Sequence, residues 1–92
     1  MIRSFHDRDT EELFQRQACR RWATIARVAL RRLRLLNRAR TLDDLRVPPG
    51  NHLETLAGDR SGQFSIRVNQ RYRICFRWDN GDVHDVELTD YH

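Results

Sequence analysis

The last third of the chain, residues 62–92, alternates apolar and polar residues with a period of two. Even positions are apolar in residues 64–68 and 72–78, and mostly apolar in residues 84–88. This pattern is typical of strands that bury one face and expose the other. Turn-forming residues separate the three runs. The pattern therefore predicts antiparallel strands with one apolar face and one charged face.

The alternation of apolar and polar residues restricts the length of the turn between the second and third runs. A plain two-residue hairpin at Asn80-Gly81 would set Phe76 opposite Asp85 and would break the apolar face. A loop with an odd number of residues would bring the apolar residues of both strands back to the same face. We therefore predict a three-residue loop or a bulge around residues 79–82.

The preceding turn, at residues 69–71, sets Arg67 directly opposite Arg73 on the charged face. Two guanidinium groups side by side repel each other unless negative charge lies near them. That charge comes either from a bound anion or from Asp85 and Glu87 on the following strand, and the two explanations are compatible. The charged face is therefore a candidate anion-binding surface.

The composition is that of one globular domain spanning residues 1–92, with a strong basic bias. All 17 basic residues are arginine, and the formal net charge is +4. Residues 14–41 contain nine arginines and no acidic residue. A coding preference for arginine explains the missing lysine but not this clustering. The cluster favours a polyanionic partner, such as nucleic acid, a ribosome surface or an acidic protein.

Other sequence features exclude several classes of protein. No apolar run is long enough to span a membrane, and no signal peptide is predicted, so a cytoplasmic location is expected. Cys19 and Cys75 are expected to be free thiols. The four histidines lack zinc-ligand spacing, so neither a metal nor another cofactor is predicted.

Two helices are predicted ahead of the three strands. Residues 2–5 alternate as a short first strand, and Asp7 or Asp9 can cap a helix that fades near Gln17. Apolar residues at steps of three and four predict a second helix over residues 21–39. A separate stripe of arginines recurs at similar steps: Arg20, Arg27, Arg31, Arg34 and Arg38.

Short sequence motifs, the strings of residues named below, occur over nearly the whole chain. They begin at residues 2–5 and continue through the connector at residues 42–51. The most specific strings are Leu53-Glu54-x-Leu56-x-Gly58-Asp59-Arg60 and the closing Asp90-Tyr91-His92. Further strings lie at residues 65–67, 72–74 and 78–82. In this order they resemble the HigB family, part of the RelE/ParE superfamily of bacterial type II toxins.

The resemblance implies an α+β, RelE-like fold, in which two N-terminal helices pack on a mostly antiparallel, twisted sheet of about four strands. It implies an endoribonuclease that cleaves mRNA in the ribosomal A site without a metal, through the RNA 2′-hydroxyl. A HigA-like helix-turn-helix antitoxin would silence it, and the toxin would reach operator DNA only through that antitoxin. The toxin alone is expected to be a monomer.

By similarity, the catalytic residues would be Arg73, Asp90, Tyr91, His92 and Glu54. Arg73, with Arg67 or Arg60, would stabilise the phosphorane. Either His92 or Glu54 would transfer protons. Tyr91 would stack on a base or contact a phosphate oxygen, and Asp90 would orient its neighbours or accept a proton. Further RNA contacts are expected from Arg60, Arg67, His52, Arg27, Arg31 and Arg34.

One position departs from the family pattern. Ala57 stands where many members carry a lysine, so a cation that would contact phosphate is absent. The loss would attenuate the activity, and the neighbouring His52 would partly substitute.

Two other classes of function fit parts of the sequence. A ParE-like gyrase inhibitor would share the fold but would lack a proton-transferring cluster, and it would leave mRNA intact. A non-catalytic basic module would bind RNA or an antitoxin and would be harmless when expressed alone. The closing Asp90-Tyr91-His92 argues against the gyrase inhibitor, and toxicity on expression without an antitoxin would separate the passive module from both toxins.

Overall fold

Two α-helices and a four-stranded sheet form the structure, a computed structural model that describes residues 1–90. The elements are α1 (Arg8–Arg16), α2 (Ala26–Arg38), β1 (Glu54–Thr55), β2 (Phe64–Arg67), β3 (Tyr72–Asp79) and β4 (Asp82–Asp90). Neighbouring strands are antiparallel, in the order β1-β2-β3-β4. The predicted α+β class, with two helices and an antiparallel sheet of four strands, is confirmed.

Helix α1 begins where the sequence predicted because Asp7 caps it. The Asp7 carboxylate accepts hydrogen bonds from the amide of Thr10 at 2.7 Å and from its hydroxyl at 3.1 Å. The Thr10 hydroxyl oxygen in turn accepts a hydrogen bond from the amide of Leu88 on β4, at 3.1 Å. The helix ends at Arg16, and its C-cap residue, Gln17, has the left-handed conformation common at helix C-termini. The N-cap therefore links the start of α1 to the sheet.

Replacing Asp7 by alanine should lower the free energy of unfolding by about 1–2 kcal/mol, because the helix loses its cap and Thr10 loses the partner that orients it toward β4. Urea denaturation followed by circular dichroism would measure the loss. Asp7→Asn is the matched control, since asparagine caps helices about as well as aspartate. Equal losses in the two variants would show that capping is not the cause.

Helix α2 starts later than predicted. The sequence pattern predicted a continuous helix over residues 21–39, whereas a 3-10 turn, Arg20–Trp22, precedes α2. Trp22 is 5% exposed, and its ring packs edge-on against Tyr72 of β3 with centroids 5.4 Å apart. Burial of this large aromatic ring against the sheet therefore outweighs the helical periodicity of the segment.

The apolar core lies between the helices and one face of the sheet. The sheet contributes the even-numbered residues that alternation assigned to the buried face, including Ile66, Ile74, Phe76, Val86 and Leu88. Helix α2 contributes Ala29, Leu33 and Leu36. The opposite face, here called the polar face, carries the residues that alternate with them. These are Glu54, Ser65, Arg67, Arg73, Cys75, Arg77, His84 and Glu87.

The turn between β3 and β4 is tighter than predicted. Asp79 pairs with Asp82, so Asn80 and Gly81 form a two-residue turn. Both turn residues have positive φ, 51° and 91°, as the type I′ turn requires and as Asn-Gly favours. The predicted loop or bulge at residues 79–82 is therefore wrong.

A β-bulge within β4 restores the alternation instead. Two residues of β4, Asp85 and Val86, lie opposite Phe76 of β3. Asp85 has φ 54°, and its amide donates to the Ser4 hydroxyl at 2.9 Å. Val86 returns to the buried face as a result. Parity correctly required one additional residue, but the stability of the Asn-Gly turn moves that residue into the strand.

The amino-terminal residues extend the sheet beyond β4. Ile2 and Phe5 form isolated parallel bridges with Val83 and Val86. The predicted short first strand is therefore present only as two bridges. They place Ser4 beside the bulge, where it accepts the hydrogen bond from Asp85.

Both α-helices are shorter than a helix that spans a membrane. Helix α2, with 13 residues, is longer than α1, whereas a membrane-spanning helix needs about 20 residues. Within residues 1–90, no helix combines the length and apolar character needed to cross a bilayer.

Candidate functional site

Arg73 of β3 lies on the polar face and is held by groups from three other segments. Its Nε donates to Ser65 Oγ on β2 at 2.7 Å, and Nη2 donates to the backbone carbonyl of His52. Nη1 lies 3.9 Å from Oε1 of Glu54 on β1. Only 12% of the Arg73 side chain is exposed. A guanidinium fixed in this way can stabilise developing negative charge without first reorganising.

The predicted pairing of two arginines is confirmed. Arg67 lies directly opposite Arg73 in the register of β2 and β3. The Arg67 Nε donates to the backbone carbonyl of Asn69 at 3.1 Å. Among the arginines of the polar face, Arg67 and Arg73 are therefore directly opposed on adjacent strands, and Glu54 is the carboxylate near Arg73.

The acidic residues expected to neutralise this pair have other partners. Glu87 Oε1 lies 3.1 Å from Arg60 Nη1, and Asp85 Oδ2 lies 3.5 Å from Arg77 Nε. The register of β4 explains this, because it sets Glu87 opposite Cys75 and not opposite either of the paired arginines. The predicted role of these two acids in neutralising the opposed arginines is therefore wrong.

Arg60 reaches the polar face from the segment before β2. Its Nη1 donates to Glu87 Oε1 and to Gln63 Oε1, at 3.1 Å in each case. Sequence reasoning named Arg60 as an RNA contact and named Glu87 only as a neutralising charge for the opposed arginines. The signal available in the sequence was the odd position of Glu87 in the last alternating run. The structure thus adds an Arg60–Glu87 ion pair to the site.

Cys75 lies beneath these charged groups and is fully buried. Both cysteines are free, as expected. Burial is the main cause that raises the pKa of the Cys75 thiol, and Glu87 raises it further, whereas Arg60 and Arg73 act in the opposite direction. The thiol is therefore neutral at physiological pH and has a packing role.

In a Cys19→Ser background, iodoacetamide should label Cys75 about 100-fold or more slowly in the folded protein than in guanidinium chloride. Labelling of the folded state requires either thiolate formation against a raised pKa or local opening. Mass spectrometry across a pH series would measure both rates. Similar rates in the two states at pH 8 would contradict the burial of this thiol.

The same pKa shift predicts how stability responds to alkaline pH. The folded-state pKa of Cys75 is raised above its ordinary value of 9.0, so the folded state binds this proton more tightly. The contribution of this group to the free energy of unfolding is fully present below the pKa that Cys75 has in the unfolded state. It is lost as the pH rises toward the pKa of Cys75 in the folded state.

Asp90, predicted to be catalytic, lies at the end of β4 directly opposite Tyr72. The register therefore places it on the helix-facing side of the sheet, separate from the guanidinium groups of the polar face. Its carboxylate accepts a hydrogen bond from Arg71 Nε at 2.8 Å, and this bond is the main cause that raises the pKa of Arg71. Tyr91 and His92, the other predicted catalytic residues of the tail, lie outside the described residues.

The predicted RNA-binding arginines of α2 form a second basic surface. Arg27, Arg31 and Arg34 are exposed, on the helix that packs against the apolar face of the sheet. Arg32 points differently: its Nε donates to the backbone carbonyl of Arg67 at 3.1 Å. Burial, and then Arg31, lower the pKa of Arg32. The structure therefore does not bring the exposed stripe together with the polar face.

Within residues 1–90, one group of candidate metal ligands was missed by reasoning from histidine spacing. Asp9, Glu12 and Cys19 each place a ligand atom within 4.8 Å of the others. Asp9 Oδ2 already lies 3.2 Å from Arg21 Nη1, and Asp9 Oδ1 lies 4.0 Å from Cys19 Sγ. The Arg21 ion pair accounts for part of this acidic charge and would compete with a cation.

Comparisons with known proteins relate nearly the whole chain to one group of toxins. Residues 3–92 match a family described as the RelE-like toxin of type II toxin–antitoxin system HigB. The chain is 37% identical over 93 residues to Toxin HigB-1 of Vibrio cholerae, covering 99% of this chain and 94% of that protein. It is 35% identical over 69 residues to an uncharacterized protein of Haemophilus influenzae, covering 75% and 68% respectively. A shorter match, 45% identical over 40 residues and covering 44% of each chain, is to Endoribonuclease HigB of Proteus vulgaris.

Proposed function

Because the chain belongs to the HigB-like family of RelE-like type II toxins, we propose that it is a ribosome-dependent mRNA endoribonuclease neutralised by a HigA-like antitoxin. The family match confirms the resemblance recognised in the sequence, and membership of a toxin–antitoxin family implies an antitoxin partner. One relative carries the name Endoribonuclease HigB. The observation that best supports RNA cleavage is the pair of opposed arginines, Arg67 and Arg73, on the polar face.

Cleavage of RNA without a metal requires a base for the 2′-hydroxyl, cations for the dianionic phosphorane and an acid for the leaving 5′-oxygen. Arg73 suits the cationic role because Ser65 and His52 hold its guanidinium in place. Arg67 would share the phosphorane charge from the adjacent strand.

Glu54 suits the role of the base. Its contact with Arg73 is long, at 3.9 Å, and 54% of its side chain is exposed. A phosphate that approaches Arg73 would displace this carboxylate and leave it beside the reacting group. Glu54 could then accept the 2′-hydroxyl proton.

The family resemblance implies that the tail residues belong to the active site, and with Glu54 as the base the remaining roles fall to them. His92 would protonate the leaving oxygen, Tyr91 would stack on a base or contact a phosphate oxygen, and Asp90 would orient them. The exposed arginines of α2 would contact RNA phosphates on a separate side of the toxin, which suits a large partner such as the ribosome. The antitoxin would be a helix-turn-helix protein that also binds the operator.

Single-turnover cleavage of mRNA on programmed ribosomes tests the proposal. We expect cleavage with ribosomes, none of free mRNA, and loss of cleavage when the antitoxin is added. Deleting His92 should lower the rate by about 100-fold or more, as removal of a general acid does. An unchanged rate would remove His92 from the mechanism. Toxicity in cells with intact mRNA and DNA-damage signalling would favour a gyrase inhibitor instead, and harmless expression would favour a passive binding module.

A further inference from the structure

A groove lies at the end of the hairpin formed by β3 and β4, where it is lined by Arg77 and His84 of the polar face. It has a volume of about 490 Å³. Its walls include Ser4, Gly62, Arg77, Trp78, His84 and Asp85. Because Arg73 and Arg77 are both odd-numbered residues of β3, the groove and the proposed cleavage site share one face of the sheet. The proposed cleavage mechanism uses none of these wall residues.

The groove presents hydrogen-bond donors and acceptors side by side. Arg77 Nε lies 3.5 Å from Asp85 Oδ2, and the two side chains are 47% and 50% exposed. His84 lies directly opposite Arg77 across the hairpin. An exposed ion pair of this kind contributes little to stability, so a ligand can separate its members at small cost.

This mixture of groups matches a nucleobase better than a phosphate. A carboxylate such as Asp85 repels a phosphate, whereas the edge of a base offers amino groups to a carboxylate and ring nitrogens or carbonyls to a guanidinium. In single-stranded RNA those edges are free, and bases stack on the planes of histidine and arginine side chains. Arg77, His84 and Asp85 together supply both kinds of contact.

Two backbone features shape the groove around Arg77. The bulge takes Asp85 out of the regular register, with φ 54°, and the Ser4 hydroxyl holds its amide there at 2.9 Å. Gly62 leaves room for the guanidinium, because a Cβ at this position would lie 2.9 Å from Arg77 Nη1. Bulges are common beside binding sites, where they redirect a side chain.

The position of Arg77 along β3 sets the distance between the groove and a phosphate bound at Arg73. Arg77 follows Arg73 by four residues, which corresponds to about 13 Å at about 3.3 Å per residue. A stacked nucleic-acid strand rises about 3.4 Å per nucleotide. The groove is therefore within about four nucleotides of a phosphate bound at Arg73, and fewer when the strand is extended.

We propose that this groove binds one nucleobase of the mRNA between Arg77, His84 and Asp85, and so sets a base preference at one position near the cleaved bond. The inference rests on the proposed ribonuclease function and adds a specificity site to it. The base lies on the same face as Arg73, so a single RNA strand reaches both.

Cleavage-site mapping on ribosomes programmed with randomised codons tests this assignment. Arg77→Gln and Asp85→Asn each remove one charged partner of the base, and asparagine tolerates the positive φ of the bulge. Each variant should reduce the wild-type preference at one position near the cut by about tenfold, the discrimination typical of one good base contact. Cleavage of the least preferred sequences should keep its wild-type rate.

The matched control is Arg46→Gln, which breaks another exposed Arg–Asp pair, with Arg46 Nε and Asp43 Oδ1 3.0 Å apart. This control should leave the distribution of cleavage sites unchanged. An unchanged distribution in both groove variants would overturn the assignment. An equal loss of rate on every sequence would also overturn it, since that result indicates a general electrostatic effect. If the wild type cleaves no mRNA, the ribonuclease proposal fails and this inference fails with it.

Discussion

Replacing Arg73 by alanine should lower the rate of mRNA cleavage on programmed ribosomes by about 100- to 1000-fold, the usual loss when a fixed transition-state donor is removed. The expected effect is large because this guanidinium is already held by Ser65 and His52. Its 12% exposure also means that little water competes for its charge. Single-turnover rates at saturating toxin would measure the effect on the chemical step.

Two further variants make this result specific. Arg73→Lys keeps the charge but loses the planar fork that contacts several partners at once, so its rate should lie between the wild type and Arg73→Ala. Arg46→Ala removes an exposed arginine and should cleave at the wild-type rate. A folded Arg73→Ala variant within about threefold of the wild-type rate would exclude Arg73 from transition-state stabilisation.

Replacing Phe76 by alanine should lower the free energy of unfolding by about 3–5 kcal/mol. Phe76 is fully buried, its ring packs on Phe64 with centroids 6.1 Å apart, and it lies opposite the bulge of β4. A domain of this size is typically stable by about 5–15 kcal/mol, so the variant should unfold at much lower denaturant concentration. Urea denaturation in the inactive Arg73→Ala background would measure the change without toxicity during expression.

Two control variants test the Phe76 result. One removes less buried volume at the same position, and the other changes an exposed side chain. Phe76→Leu keeps most of the buried volume and should lose clearly less than the alanine variant. Val47 is 69% exposed, and Val47→Ala should change the free energy of unfolding by no more than about 0.5 kcal/mol. If Phe76→Ala were as mild as Val47→Ala, the assignment of Phe76 to the core would be wrong.

Part of the candidate site was predictable because it depends on local periodicity. Alternation in residues 64–68 and 72–78 identified the buried and charged faces, and parity across the intervening turn identified Arg67 as the partner of Arg73. Both inferences depend only on the period of two in a strand and on the length of one turn. The N-cap at Asp7 was likewise predictable from residue type and position.

The acid partners of the arginines were not predictable in this way. Glu87 pairs with Arg60, which reaches it from the segment before β2, and Asp85 pairs with Arg77 from within the bulge. The location of the bulge depends on a competition between the preferred Asn80-Gly81 turn and burial of Val86. The alternation of apolar and polar residues shows that one additional residue is needed. It does not show at which position that residue costs the least free energy.

By itself, the amino-acid sequence determined the class of fold, the two faces of the sheet, the start of α1 and the resemblance to HigB toxins. These follow from short-range periodicity, capping chemistry and the order of short strings. Only the tertiary structure decided that Trp22 leaves the helix and that a groove forms at Arg77. Each of these depends on contacts between residues distant in sequence, where burial and pairing outweigh local preference.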